Sequence, residues 1–145
     1  MGELAISRIL YDPAGRIAGM KAKTMPYPGA VRDAITGYFL FEASFSLMFA
    51  EKNVDKDDLS YVAGHVFRSV SCLNQVLFAL NGEYCINEKK AVRMIEGFPV
   101  KPQDYKRRID AIFSSLSTDT DSARQAVAML GKLVSETEKL VNGES

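Results

Sequence analysis

Apolar residues along most of this chain recur every three or four positions, the spacing that lines one face of a helix. Val31, Ile35, Tyr38, Glu42, Phe45 and Phe49 follow that period, and Phe39, Phe41 and Leu47 make other faces apolar too. With Pro28 suited to a first helical position, the pattern predicts a helix to about Lys52 that is buried on most sides. After a connector at Asn53–Asp57, a second helix is predicted from Asp58 to Leu80, its core stripe being Val62, Val66, Val70, Leu73, Leu77 and Leu80. Asp57 and Asp58 suit the positive end of that helix, and Asn81-Gly82 supplies a left-handed stop. A short third helix is predicted over Glu88–Glu96, with Asn87 as N-cap and Gly97-Phe98-Pro99 as terminator. Pro102 opens a fourth, turning Tyr105, Ile109, Ile112 and Leu116 inward. A fifth follows the polar break Ser117–Ser122 and runs to about Val141 on Ala123, Val127, Leu130, Val134, Thr137 and Val141. The final Asn-Gly-Glu-Ser is expected to fray.

The first 27 residues lack this period. Leu4–Ala22 alternate imperfectly about Asp12-Pro13-Ala14-Gly15, a tetrapeptide with turn chemistry, which predicts a small β-hairpin followed by a linker at Lys23–Pro28. A two-stranded hairpin is marginal alone, so it is expected to pack on the helices or to pair with a second copy through its edges. The expected fold is therefore mainly α: an antiparallel four-to-five-helix up-and-down bundle over 28–145, with a short N-terminal β-hairpin and linker over 1–27.

Composition narrows the function classes. The 145 residues are 47% hydrophobic, enough for one core, and 18 basic residues balance 18 acidic ones. That balance carries no strong nucleic-acid signal, so recognition of phosphate would have to be local. Cys72 and Cys85 fall on a predicted buried helix and the turn after it, which suggests reduced thiols and a cytoplasmic protein; with the single His65 they form no metal spacing. The N-terminal segment has neither the basic start nor the apolar core of a secretory signal. Ala34–Ala50 carries only Glu42 as a charge, but its 17 residues include Gly37, Ser44 and Ser46, so it reads as a bundle helix and not as a membrane span.

Catalytic devices are not evident: there is no Gly-rich phosphate loop, nucleophile elbow or paired histidine, and no arginine four to six residues before His65. Polar groups nevertheless concentrate between Arg68 and Lys90. On the second helix Arg68, Ser71 and Gln75 share a side with His65 and Cys72, either to read a nucleotide or as an internal network. Glu42 is placed to accept from Arg68 across the bundle, as a structural brace or as part of a ligand pocket. In the turn that follows, Asn81, Tyr84, Asn87, Glu88 and Lys89 combine helix-start amides with a lysine, an arrangement able to hold an anion. The alternative is that Asn87 only caps and Lys89 is solvated.

The run FRSVSCLNQVLFALNGEYCINEKKAV, followed by FPVKPQDYKRRIDAIF, resembles the C-terminal helical region of nucleotidyltransferase-superfamily proteins, related in plan to the helical substrate-binding domains of aminoglycoside-type nucleotidyltransferases. The matching pieces are Phe67-Arg68, Cys72-Leu73 with Gln75, Phe78-Ala79-Leu80-Asn81, Tyr84, Asn87-Glu88-Lys89, and Pro102 with Tyr105. The resemblance implies a preceding catalytic α/β domain, in which a Gly-Ser turn and an Asp-x-Asp pair hold Mg2+. That combination is absent here, and the predicted hairpin resembles the last strands of such a domain. The implied function is a helical wall that binds a nucleotide or small-molecule acceptor. The metal and the transfer step belong to the catalytic domain as partner, and the chain alone is expected to be inactive. The alternative is a non-catalytic interaction module that dimerises or partners a separate catalytic subunit.

Overall fold

A computed structural model describes residues 1–143; of the tail expected to fray, residues 144–145 lie outside the described residues. Seven helices and no strand form among the described residues: α1 (Gly2–Ile6), α2 (Arg16–Ala22), α3 (Gly29–Asn53), α4 (Leu59–Leu80), α5 (Ala91–Ile95), α6 (Tyr105–Ser115) and α7 (Thr120–Asn142). The chain is mainly α, as the periodicity predicts. Acidic caps set two of the long boundaries: Asp58 accepts from the Tyr61 amide at 3.0 Å and Asp119 from the Ser122 amide at 2.9 Å. Gly82 and Gly143 take the left-handed conformation just beyond α4 and α7.

The most extensive helix contact is between α3 and α4. Their partners run in opposite senses: the Ser69 hydroxyl donates to the Ala43 carbonyl at 2.9 Å, Arg68 meets Glu42, and His65 stacks on Phe49 with ring centroids 5.3 Å apart. The buried residues of α3 are Thr36, Ala43, Ser46 and Ala50, all small. Small side chains let the α4 backbone approach, so the bulk at this interface comes from Val62, Val66, Val70, Leu73 and Leu77 on α4. This corrects the expectation of an aromatic stripe buried on most sides of α3: Tyr38, Phe41 and Phe45 are exposed. α4 and α7 occupy its small-residue side, and among the described residues the rings on the opposite face stay exposed.

α7 packs on α3, α4 and α6, contributing Leu130 and Leu133 to a core completed by Leu73, Leu77, Ile95 and Ile112. Tyr105 at the start of α6 is fully buried, and its hydroxyl donates to Asn74 Oδ1 at 2.9 Å, so α4 and α6 share a satisfied polar pair inside the core.

The β-hairpin does not form. Asp12–Gly15 is a turn, with the Gly15 amide donating to the Asp12 carbonyl at 3.0 Å, but the Asp12 carboxylate also accepts from the Arg16 and Ala18 amides at 3.0 and 2.9 Å. Those bonds satisfy otherwise orphan N–H groups at the start of α2, so the turn opens a helix instead of closing two strands. The expectation of pairing through hairpin edges falls with it. The predicted helix over Glu88–Glu96 is also shorter. Asn87 Oδ1 accepts from the Lys89 amide at 2.9 Å in a local turn, Lys90 adopts φ 63°, and helical pairing begins only at Ala91. On α6 the first helical residue is Tyr105, three residues after Pro102.

Candidate functional site

A cleft of about 370 Å³ lies where α1, the N-terminal end of α3, the C-terminal half of α4 and the segment after α4 meet. The fold builds it in steps. Beyond the left-handed Gly82 the chain runs without regular secondary structure through Glu83–Ile86, and the Glu83 amide donates to the Phe78 carbonyl at 3.0 Å to fix its exit. α1 then lies across this segment at close range: a Cβ on Gly2 would sit 3.0 Å from Tyr84 Cβ. The Tyr84 hydroxyl donates to the Thr24 carbonyl at 3.0 Å and its ring meets Tyr27 with centroids 4.5 Å apart, which ties the linker to the same wall.

Of the residues predicted from sequence, Gln75 and Tyr84 line this cleft. Gln75 Nε2 faces the Cys85 carbonyl at 3.5 Å, a long contact that leaves the amide group available. Glu42 and Arg68 are brought together, with the Glu42 side chain only 15% exposed and that of Arg68 58% exposed. They sit two turns of α4 from Gln75, about 10 Å along the helix. Ser71 lies half-buried between them.

The anion-binding corner is not assembled. Asn81 caps α4 and uses its amide internally, donating to the Leu77 and Val100 carbonyls at 2.7 and 2.8 Å and accepting from the Val100 amide at 3.0 Å. Asn87, Glu88 and Lys89 are exposed and none lines the cleft. The five-residue α5 starts too late to present amides beside Lys89.

Sequence reasoning missed Glu3, Tyr27, Glu83 and Cys85 as cleft residues. Tyr27 was marked only by its two flanking prolines, and nothing local connects Glu3 with Tyr84. These additions change the electrostatics. Two carboxylates and two phenol rings surround the cleft together with Met1 and its amino group, and among the described residues no lysine or arginine lines it. Burial raises the Tyr27 hydroxyl pKa, and the nearby Tyr84 raises it further. Burial, with the Glu88 charge adding to it, pushes the Cys85 thiol up to about 11. A thiol so protonated is a weak nucleophile at neutral pH, so the walls offer recognition groups: carboxylates, aromatic faces and the Gln75 amide.

Among the described residues no three His, Cys, Asp or Glu side chains converge as a metal-holding group, and no helix is long and apolar enough to cross a membrane. Compared with family models, curated proteins and solved structures, the chain matches none of them.

Proposed function

We propose that this chain is the acceptor-binding wall of a nucleotidyltransferase-like protein, an up-and-down bundle of four long helices whose cleft takes an amine-bearing small molecule. The observation that carries the reading is the lining of the cleft: Glu3 and Glu83 with the Tyr27–Tyr84 pair, and Gln75 reaching toward the Cys85 carbonyl. Carboxylates attract an ammonium group, and aromatic faces stabilise a cation held over them. The same carboxylates repel a triphosphate, so the nucleotide belongs to the metal-binding half and the acceptor to this one. The run of residues from Phe67 to Val92, read as a resemblance, supports the same division of labour.

Titration followed by backbone NMR tests this reading, with spermidine as the cationic probe and ATP with Mg2+ as the anionic one. Spermidine is expected to shift the Gln75, Tyr84 and Cys85 resonances, and replacing both Glu3 and Glu83 with Gln is expected to weaken it about tenfold, the loss of about 1.4 kcal/mol. ATP shifting those same resonances with undiminished strength in the double variant would sink the proposal.

A further inference from the structure

The face of α3 that no other helix covers is apolar, and its pattern is self-complementary. Tyr38, Phe41 and Phe45 are 59%, 64% and 42% exposed. They project from one side of α3 together with Met48, and on that same side lie the small residues Ala34, Gly37 and Ser44. A Cβ added to Gly37 would meet nothing within 4 Å, so this position is an open notch in the surface.

A second copy of α3 laid antiparallel about Phe41 brings each residue opposite the one equally far on the other side of that centre. Tyr38 then faces Ser44, Phe45 faces Gly37, Met48 faces Ala34, and Phe41 meets its own symmetry mate. Every large side chain is matched by a small one except on the axis, where two Phe rings stack. A two-fold interface requires this kind of match between a surface and itself.

Length and charge point to the same occupant. At 25 residues α3 is about 37 Å long, so a second copy of the helix matches it end to end. Between Ala34 and Ala50 the only charged side chain is Glu42, already paired with Arg68, so the face offers nothing to an acidic or basic partner.

We propose that the chain forms a symmetric homodimer through this α3 face, with antiparallel α3 helices crossing at Phe41. The proposal is independent of the ligand assigned to the cleft.

Sedimentation velocity at increasing protein concentration tests it. The wild-type chain is expected to sediment at twice its monomer mass. Gly37→Leu is expected to sediment as a monomer with an undiminished melting temperature, because Leu fills the notch while replacing a residue that weakens a helix. Phe41→Glu changes an exposed ring and is expected to do the same. Orientation is read by oxidative cross-linking: Phe41→Cys on the axis is expected to form an intermolecular disulfide, whereas Ala34→Cys, facing Met48, is not. A wild-type chain that stays monomeric at hundreds of micromolar, whether or not it then floats with neutral lipid vesicles, would overturn the proposal. So would a Gly37→Leu variant that remains dimeric, or equal cross-linking at positions 34 and 41.

Discussion

Asn81 and Val100 exchange two hydrogen bonds: Asn81 Nδ2 donates to the Val100 carbonyl at 2.8 Å, and the Val100 amide donates back to Asn81 Oδ1 at 3.0 Å. The same Nδ2 also donates to the Leu77 carbonyl at 2.7 Å, so one side chain closes α4 and pins the segment that leads to α6. Asn81→Ala leaves those backbone groups without their partners and is expected to lower the unfolding free energy by about 1–3 kcal/mol. Urea denaturation measures it, and an unchanged midpoint would mean that the bonds do not hold the loop.

The buried Tyr105–Asn74 bond gives a sharper form of the same test. Tyr105→Phe strands Asn74 Oδ1 in the core and is expected to cost about 1–3 kcal/mol. Pairing it with Asn74→Leu removes both ends of the bond, and the double variant is expected to lose less than the sum of the two single changes. A denaturant double-mutant cycle reads the coupling.

Ser46 makes the opposite case. Its hydroxyl is buried at the small-residue interface of α3 without a hydrogen-bond partner, so Ser46→Ala is expected to be neutral or to stabilise by up to about 1 kcal/mol. Leu77→Ala, by contrast, empties a fully buried position and is expected to cost about 2–5 kcal/mol. Lys89→Ala, at an exposed position, is expected to leave the melting temperature unchanged.

Acid sensitivity follows from carboxylates whose pKa values are lowered in the folded chain. The Glu136 pKa lies below its ordinary value of 4.5, chiefly because Arg108 donates to both its oxygens at 2.6 and 2.8 Å. Asp58 and Asp119 are lowered by hydrogen bonds to the helix starts they cap, from the Tyr61 amide and from the Ser122 side chain and amide respectively. A depressed folded pKa contributes stability above the unfolded value that is lost as pH falls through the folded one. Thermal melts are therefore expected to decline below about pH 4.5. Glu136→Gln is expected to flatten part of that decline, and only part, since solvent screens the half-exposed pair and the two capping aspartates remain.

Thiol chemistry checks the walls of the cleft. With its pKa near 11, Cys85 has about one thiolate per thousand at pH 8, so alkylation by iodoacetamide is expected to run about a hundredfold slower than for free cysteine. Unfolding in urea is expected to restore the ordinary rate, and rapid labelling of the folded chain would contradict the burial of Cys85.

Local chemistry was legible wherever a single stretch of chain suffices. The three- and four-residue period placed α3, α4 and the end of α7 to within one residue, because an amphipathic repeat and an acidic or proline start are properties of the helix alone, whereas α7 starts at Thr120, inside the predicted polar break. The same chemistry misled at Asp12–Gly15 and at Asn87. A turn tetrapeptide does not say whether strands or a helix follow, and an Asn that caps its own turn looks like one that caps a helix.

By itself the sequence determined that the chain is mainly helical, where α3 and α4 begin and end, and that Glu42 and Arg68 would be able to meet. Only the tertiary structure decided which face of α3 is inside. Periodicity shows that residues share a side, but α4 chose the side carrying Thr36, Ala43, Ser46 and Ala50, where close approach is possible, and left the aromatic side open. Tertiary packing likewise brought Glu3 and Tyr27 to Tyr84, and so built an acidic, aromatic cleft that shares only Tyr84 with the expected anion-binding corner.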